Sequence, residues 1–416
     1  MDTGRARRSA VALGAGLVLL LGAGAARAAD LHPYGDLGLR AETLFVHDKD
    51  ASGERTSERL QHRPEVAFGL GLRALALDDT LEANLRLTSA PTDALTDRWL
   101  AAADFGRLRQ VAVDRAWLGL TMSAVPELSL TVGIAPVPWR RTGLLWDEDL
   151  TLPLAVVAWD QQRSGRAVVR RTHGSVGVIE LNSGVPVEDD DIVLAGADLG
   201  ATWGLGRSVT LQTDLGYVGL WGRRRLGRAV ARGDVRVGQQ RAGFTTNTTD
   251  TDATTPRAEP TQRLILDGLA SDFDVLSAYV ALRVGASELF PVTAFGHVAW
   301  NLGASGPGEG NALGLVAGVR VGDDAIAGQT AVTLRGLYIE ADAALAPLND
   351  DALLTNLEGL AIEASFGAFE GLKFAFDALY SLQVDPDLRG FGDDRGEPGS
   401  NDPAAVRLRL SSTWSF

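Results

Sequence analysis

The sequence contains no cysteine, so neither a disulfide framework nor a lipid anchor on an N-terminal cysteine is possible. Histidine is scarce, with five residues in 416. The chain also lacks the zinc-ligand spacing, the phosphate-binding glycine loop and the dinucleotide fingerprint that mark common cofactor sites. We therefore expect no cofactor and no dedicated metal site.

Beyond residue 29 there is no apolar run that reaches the ~20 residues needed for a membrane-spanning helix. The charge is unbalanced, with 39 lysine and arginine residues against 53 aspartate and glutamate residues. Nucleic-acid binding normally needs a basic surface, so this acidity argues against a nucleic-acid partner. Acidic runs at 188–191 and 385–402 predict a solvated rim that bridges lipopolysaccharide through divalent cations, although bare carboxylates are weak evidence for a calcium site.

The first 28 residues have the pattern of a cleaved signal peptide. Three arginines among the first eight residues precede an uncharged apolar run at 10–26, and Ala26-Arg27-Ala28 matches a small-residue cleavage site. A transmembrane anchor is the alternative, but the run is shorter than the ~20 residues of a spanning helix. We expect export, with residues 29–416 as the mature protein.

Beyond the leader, many segments alternate apolar and polar residues, as the two faces of a β-strand do. In 404–416, one face carries Ala404, Val406, Leu408, Leu410, Trp414 and Phe416, while arginine, serine and threonine dominate the other. Lipid is the natural cover for such an apolar face. The ending resembles the terminal strand of bacterial outer-membrane barrels, and this resemblance implies recognition by the barrel assembly machinery through Phe416.

The spacing of these segments predicts the architecture. Connections of at most seven residues alternate with connections of at least nine. An even number of strands joined in this way is typical of a transmembrane barrel with short periplasmic turns and long outer loops. We predict an all-β fold, an antiparallel up-and-down transmembrane β-barrel of 16 strands. The candidate strands are 37–45, 65–74, 81–88, 111–120, 128–135, 153–161, 166–182, 192–202, 208–220, 273–284, 291–301, 311–321, 329–341, 356–366, 371–382 and 404–416.

The long connection 221–272 leaves a second strand count open. It contains two faintly alternating pieces, Ala229–Val237 and Leu264–Leu266, which would make 18 strands if they formed a hairpin. With 16 to 18 strands the interior is too wide for side chains to fill, so an aqueous channel remains. Eight cations and six carboxylates are predicted to face it: Arg40, Arg73, Arg86, Arg283, Arg320, Lys373, Arg407 and Arg409, with Glu42, Glu65, Glu82, Asp214, Glu363 and Asp377.

Three motifs near the third long connection resemble a family of porins of Gram-negative bacteria, which includes general and phosphate-selective porin-like barrels. They are Val113-Asp114-Arg115-Ala116-Trp117, Val132-Gly133, and Leu144-Leu145-Trp146-Asp147-Glu148-Asp149-Leu150. The similarity covers about residues 65–160 together with the C-terminal strand. The chain departs from the family's pattern after Leu150, where Thr151-Leu152-Pro153-Leu154 stands in place of the turn that usually follows in that family.

The resemblance implies that loop 136–152 folds inward and narrows the channel, and that the protein is a homotrimer. Arg140 and Arg141 would then face Asp147, Glu148 and Asp149 across or beside the narrowest point, where fixed charges select ions. A solvated outer loop without a role in transport is the alternative.

We expect an integral outer-membrane porin, a passive diffusion channel for small hydrophilic solutes or ions. A non-conducting structural or adhesive barrel would share every feature above except the conducting lumen. An outer-membrane hydrolase is the third alternative, because His173 shares a strand face with Ser175 and His297 shares one with Asn301. No motif sets up the nucleophile and base that such catalysis requires, so we predict no enzyme activity.

Overall fold

The computed structural model of the protein describes 15 stretches of the chain. They are 30–49, 55–89, 100–101, 111–139, 142–147, 150–163, 167–180, 192–222, 269, 271–285, 290–305, 310–345, 348–349, 355–385 and 404–416. The predicted signal peptide and the two pieces at 229–237 and 264–266 lie outside them. None of these stretches contains a helix long and apolar enough to cross a membrane.

The described residues form seventeen β-strand segments in one sheet. They are β1 (Asp30–Lys49), β2 (Arg55–Ala76), β3 (Leu81–Ser89), β4 (Leu100–Ala101), β5 (Val111–Met122), β6 (Val125–Pro136), β7 (Thr151–Gln162), β8 (Val169–Glu180), β9 (Val193–Gly204), β10 (Val209–Trp221), β11 (Asp274–Val284), β12 (Val292–Asn301), β13 (Leu313–Gly322), β14 (Thr330–Ile339), β15 (Leu357–Phe369), β16 (Leu372–Gln383) and β17 (Ala404–Ser415).

The sheet closes on itself, because the last strand pairs with the first. The β1–β17 register runs from Asp36 opposite Ser415 to His47 opposite Ala404. Beyond it, Gly35 and Phe416 exchange two backbone hydrogen bonds of 2.8 and 2.9 Å. A closed barrel leaves no unpaired sheet edge in hydrocarbon, where each unpaired backbone group would cost several kcal/mol.

The seventeen segments make a barrel of sixteen strands, because β3 and β4 are two parts of one strand. β3 pairs with β2 from Ala76 up to Gly69, and β4 continues the same antiparallel pairing at Val66 and Glu65. The predicted count of 16 is confirmed, and all sixteen candidate strands correspond to strands of the barrel. A count of 18 is wrong, because β10 and β11 pair directly and leave no place for a hairpin from 221–272.

The first hairpin is much longer than predicted. Residues 30–34 of β1 pair only with β2, and at the other side the two strands continue together beyond the end of β17. The extension beyond β17, residues 48–49 and 55–58, carries polar residues without alternation, since a two-stranded ribbon outside the barrel has no lipid face and no lumen face to impose it. The alternation in the sequence therefore marked only the middle of these two strands.

The outward face of the barrel is a continuous apolar surface. Large exposed side chains alternate along the strands with buried ones, as with Leu37 and Leu39 in β1 and Phe374 and Phe376 in β16. At the C-terminus, the rings of Trp414 and Phe416 lie 5.4 Å apart on this face. The surface has the apolar band with aromatic residues that a lipid bilayer requires.

Candidate channel lumen

The side chains predicted to line the lumen all lie on the inner face, opposite the exposed leucines. The strand register and the burial pattern place them there: Arg40, Glu42, Glu65, Arg73, Glu82, Arg86, Asp214, Arg283, Arg320, Glu363, Lys373, Asp377, Arg407 and Arg409. The end of the barrel with the short turns and the C-terminus is called the inner end here, and the end with the long connections is called the outer end.

Ion pairs join neighbouring strands around the point where the barrel closes. Arg40 Nε donates to Glu65 Oε2 at 2.6 Å, and Arg409 Nε donates to Glu42 Oε2 at 2.6 Å. Nearer the inner end, Arg73 Nε donates to Glu82 Oε1 at 2.5 Å. A buried charge is tolerated only when it is paired, and the buried side chains of Arg40, Glu65 and Glu42 satisfy that condition across the sheet.

Arg86 holds two carboxylates on the same wall. Its Nη1 group donates to Asp114 Oδ2 at 2.7 Å, and its Nη2 group pairs with Asp36. Asp114 is the extra residue at a β-bulge, where Arg86 lies opposite Arg115 and Leu87 lies opposite Val113. Because a bulge places two successive residues against one on the partner strand, both Asp114 and Arg115 project into the lumen.

A second ion cluster lies at the inner end, on the turn that joins β13 to β14. Asp324 accepts hydrogen bonds from Lys373 at 2.6 Å and from Ser365 at 2.7 Å, and it also pairs with Arg320. Arg283 donates to the neighbouring Asp323 at 2.9 Å. Burial raises the pKa of Asp324, but the bonds from Lys373 and Ser365 and the nearby cations outweigh it and hold the pKa at about 2. The carboxylate therefore stays charged and ties this turn to β15 and β16.

The outer part of the lumen is apolar, which the sequence analysis did not predict. From β6 round to β1 the inner face near the outer end carries buried aliphatic side chains. Examples from separate strands are Leu154, Leu194, Leu220, Leu337 and Val46. The inner face is therefore polar near the inner end and mostly apolar near the outer end.

This apolar wall is covered by the loop between β6 and β7, which folds into the barrel. Its side chains Val137, Trp139, Leu144, Trp146 and Leu150 are almost fully buried and belong to the same cluster as the wall residues. The rings of Trp139 and Trp146 pack against each other, with their centroids 5.8 Å apart. The burial of two tryptophan side chains stabilises the loop in this inward position through the hydrophobic effect.

Trp139 fits against the wall because the wall residue there has no side chain. A Cβ atom at Gly196 of β9 would lie 2.6 Å from the indole ring, too close for any other residue. The indole Nε1 donates to Ser175 of β8 at 2.8 Å, and Ser175 donates in turn to Asp198. The indole ring of Trp139 is thus fixed by its packing against Gly196 and by its hydrogen bond to Ser175.

Further along, polar contacts fix the loop to the opposite part of the barrel. Thr142 Oγ1 and His297 Nδ1 of β12 are 2.7 Å apart, and Leu144 lies against Gly314 of β13. The backbone N–H of Asp147 donates to the carbonyl of Leu348 at 2.8 Å, and the Asp147 side chain is buried. Of the predicted constriction residues, Arg140, Arg141, Glu148 and Asp149 lie outside the described residues.

A second connection, between β14 and β15, also folds inward and supports the first. Residues 341–345 and Leu348 are buried, and Asp342 accepts a hydrogen bond from Ser271 at 2.6 Å. Asn301 donates to the carbonyls of Asp272 and Asp342, both at 2.9 Å. Two long connections therefore pack together inside the outer end of the barrel.

The residues considered for hydrolysis form other contacts. Ser175 donates to Asp198, and His173 Nε2 lies 2.6 Å from Asp214 Oδ1. His297 contacts Thr142 and lies edge-on to Tyr279, while Asn301 binds backbone groups. Among the contacts described above, the hydroxyl that lies against a histidine of this group is that of Thr142, and Ser175 is bonded to a carboxylate instead. The described stretches do not contain three histidine or carboxylate side chains placed to bind a metal.

Sequence reasoning missed the two tryptophans, Gly196 and the turn carboxylate Asp324. A signal for the tryptophans was present, because β7 begins with apolar residues on both faces, Thr151-Leu152-Pro153-Leu154-Ala155-Val156-Val157. A strand that is apolar on both faces is covered on both sides. Asp324 gave no such signal, because a charged residue in a turn is usually solvated.

A closed antiparallel barrel with an apolar outer surface and a charged inner face defines a class, the outer-membrane channels. A family model described as "Putative porin" matches residues 50–332 of this chain, which is more than half of it. The chain belongs to this family and is an outer-membrane porin channel. A search of curated proteins finds no match.

Solved structures that match the chain come from several bacteria. OprB of Pseudomonas putida matches with a TM-score of 0.52 at 11% identity, over 94% of this chain and 95% of that one. An anion-selective porin from Comamonas acidovorans gives a TM-score of 0.46 at 9% identity, over 93% and 100%. OmpF of Salmonella typhi, in complex with daunomycin, gives 0.43 at 10% identity, over 93% and 97%. At 11% identity the likeness to OprB concerns the fold alone.

Proposed function

We propose that the protein is a passive diffusion channel for small hydrophilic solutes or ions, in which the loop between β6 and β7 narrows the lumen and the wall residues named above line it. One observation supports this most strongly. The loop packs inside the barrel through Trp139 and Trp146, while the inner face towards the inner end remains charged. A channel that is narrowed at one level and polar below it passes water-soluble molecules by size and charge.

The charged residues of the loop complete this proposal. Asp147 lies inside the barrel, and Arg140, Arg141, Glu148 and Asp149 are close to it or to Trp139 in sequence. Their proximity to these buried anchors favours positions at the narrow part of the channel over positions in a solvated outer loop. Fixed charges at such a level act strongly on passing ions, because the surrounding apolar wall screens them poorly.

The remaining parts of the proposal concern export and assembly. Residues 1–28 would be removed as a signal peptide, leaving residues 29–416 as the barrel with its long outer connections, including 136–152 and 221–272. Phe416 would present the final strand to the barrel assembly machinery, and the outer connections would contact lipopolysaccharide. A homotrimer is expected from the resemblance to porins, and the protein would contain no cofactor and perform no catalysis.

The test is reconstitution of the purified protein into planar lipid bilayers under a salt gradient. A porin gives stepwise increases in conductance, and the reversal potential reports which ion passes more easily. Repeated insertion without any current would favour a structural or adhesive barrel. Insertion itself is checked by protease protection of the barrel in vesicles, so that silent channels are distinguished from failed reconstitution.

A further inference from the structure

We propose that Asn301 is a positioning residue for the channel. Its side chain fixes the connection between β14 and β15, and this connection keeps the loop between β6 and β7 at the narrow part of the lumen. The inference rests on the proposed function as a diffusion channel narrowed by that loop. It adds a buried residue that sets the width of the channel through two connections.

The side chain of Asn301 uses every hydrogen-bonding position that an amide has. It lies on the inner face at the outer end of β12 and is 2% exposed. Its Oδ1 accepts from the backbone N–H groups of Asp274 and Gly303, both at 3.0 Å. Its Nδ2 donates to the carbonyls of Asp272 and Asp342, both at 2.9 Å. Because an asparagine amide offers two N–H donors and one oxygen with two lone pairs, no position is left over.

These four bonds join three outer connections to one strand. Asp272 belongs to the connection that precedes β11, Gly303 to the connection after β12, and Asp342 to the connection after β14. The backbone N–H of Asp272 also donates to the carbonyl of Gly303 at 3.1 Å. A buried polar network in which each group is bonded is rigid and specifies one arrangement. We therefore expect the three connections to keep one relative position as long as Asn301 is present.

Asp342 is bonded from three directions. Its backbone N–H donates to the carbonyl of Asn311 at 2.8 Å, and its own carbonyl accepts from Asn301. Its carboxylate accepts a hydrogen bond from Ser271 at 2.6 Å, and both of these residues are fully buried. Residues 343–345, which follow, are buried as well. The start of the β14–β15 connection is therefore fixed inside the barrel.

The β14–β15 connection in turn contacts the loop between β6 and β7 at two places. The carbonyl of Leu348 accepts a 2.8 Å hydrogen bond from the backbone N–H of Asp147. At Gly314 of β13, a Cβ atom would lie 3.1 Å from Leu144 Cδ1 and 3.3 Å from Ala343 Cβ, so both side chains pack into the same gap on the wall. A shift of the connection would therefore remove support from the loop at both places.

A local role of Asn301 is the alternative, in which its amide only shapes the chain at residues 301–304. Two substitutions separate the two roles. Asn301→Asp keeps an oxygen that can accept from Asp274 and Gly303, but it lacks the amide donors that bind the other two connections. Asn301→Ala lacks both. If Asn301 acts through the β14–β15 connection, the two variants should change the channel in the same way.

The readout is the conductance of single channels in planar bilayers. Both Asn301 variants should give a larger mean conductance. The ratio of time at the larger level to time at the smaller level should rise about tenfold, as is usual when a buried hydrogen-bonding group loses its partner. The folded barrel should keep its resistance to denaturation in detergent, because its strands are bonded around the whole ring.

Gln383→Ala is the matched control. Gln383 is another inward amide at the outer end of a strand, 7% exposed, and its Nε2 donates to the carbonyl of Asp385 at 3.2 Å. That carbonyl belongs to the connection after β16, and the β14–β15 residues 341–349 keep their bonds in this variant. Gln383→Ala should therefore conduct like the unaltered protein.

A rescue experiment uses the absence of cysteine from the chain. In Gly314→Cys combined with Ala343→Cys, the two Cβ atoms would lie 3.3 Å apart, close to the ~3.8 Å of a disulfide. Oxidation then ties the β14–β15 connection to the wall without Asn301. When this pair is added to Asn301→Ala, oxidation should restore the smaller, steady conductance, and dithiothreitol should abolish the rescue. The reduced form is the control for the two cysteine substitutions themselves.

Three results would overturn the inference. They are an unchanged conductance in both Asn301 variants, an equal change in Gln383→Ala, and an oxidised disulfide that leaves Asn301→Ala unrestored. If neither Asn301 variant folds, Ser271→Ala removes the other partner of Asp342, and the inference then requires the same rise in conductance. Absence of any conductance in the unaltered protein would instead contradict the diffusion channel itself.

Discussion

Replacement of Trp139 by alanine should release the loop between β6 and β7 from the barrel wall and widen the channel. The indole packs on Gly196, lies 5.8 Å from the ring of Trp146 and donates a 2.8 Å hydrogen bond to Ser175. Removing a buried tryptophan side chain typically costs ~3–5 kcal/mol. Since ~1.4 kcal/mol changes an equilibrium tenfold, the ratio of docked to released loop should fall by about a hundredfold to a few thousandfold.

The barrel itself should remain intact, because its strands are held by backbone hydrogen bonds around the whole ring. Single-channel recording therefore separates the two effects. We expect Trp139→Ala to give a larger mean conductance and frequent transitions between two or more levels, while the folded barrel keeps its resistance to denaturation in detergent. The matched control is Trp300→Ala, which removes a tryptophan that is 56% exposed on the outward face of β12.

The reasoning is refuted if Trp139→Ala conducts like the unaltered protein, with the same level and the same noise, while Trp300→Ala does so too. That result would mean that the loop does not narrow the path that ions take. A loss of barrel folding in Trp139→Ala alone would contradict the separation of loop docking from barrel stability.

Two further predictions concern charged residues. Arg140 and Arg141 changed together to alanine should shift the reversal potential toward cations, and an unchanged potential would remove the loop charges from the narrow part of the channel. The pKa of Asp324 is held at about 2, and its carboxylate accepts hydrogen bonds from Lys373 and Ser365. These bonds stabilise the folded barrel fully at pH values above the ordinary aspartate pKa of ~3.8, and the stabilisation is lost as the pH falls to about 2. The thermal unfolding temperatures of the unaltered protein and of Asp324→Asn should therefore differ by a constant amount from pH 7 to about 4 and converge toward pH 2. A difference that persists at pH 2 would contradict the stabilising role of the Asp324 carboxylate.

The sequence predicted the barrel well because the bilayer imposes one strict rule on every strand. Side chains that face lipid must be apolar, so the middle of each strand alternates and can be located by inspection. The alternating connection lengths then gave the strand count. The errors lie where lipid does not act, as in the ends of β1 and β2, which extend beyond the barrel, and in the strand that is split into β3 and β4.

The lumen could be predicted only in part, because no comparable rule governs its contacts. Alternation placed Arg40, Glu65 and Glu42 on the inner face, but it did not show that Arg40 pairs with Glu65 and Glu42 with Arg409 across neighbouring strands. Such pairs depend on the register of strands that are distant in sequence, as Glu42 and Arg409 illustrate. The predicted count of eight cations and six carboxylates on the inner face therefore could not show which of them are paired.

The sequence motif in β5 shows how one extra residue in a strand changes the direction of the neighbouring side chains. Val113-Asp114-Arg115-Ala116-Trp117 reads as a regular strand, in which Asp114 and Arg115 would face opposite sides. The bulge opposite Arg86 turns both toward the lumen, so that Asp114 binds Arg86 while Arg115 keeps free donors, and Trp117 packs against the loop cluster. A bulge has no reliable mark in a single sequence, and so the inward position of Asp114 became evident only from the register.

The apolar outer lumen follows a pattern that can be recognised in advance. β7 begins with apolar residues on both faces, because Leu152 and Leu154 meet the inward loop while Val157 meets lipid. The outer part of β3 instead keeps Arg86 and Thr88 on its inner face, and no apolar loop residue is packed there among the described contacts. Strands that are apolar on both faces near the outer end therefore show where an inward loop docks. Because such a strand can be recognised in a single sequence, the side of the barrel that receives an inward loop can be inferred from the two faces of each strand taken separately.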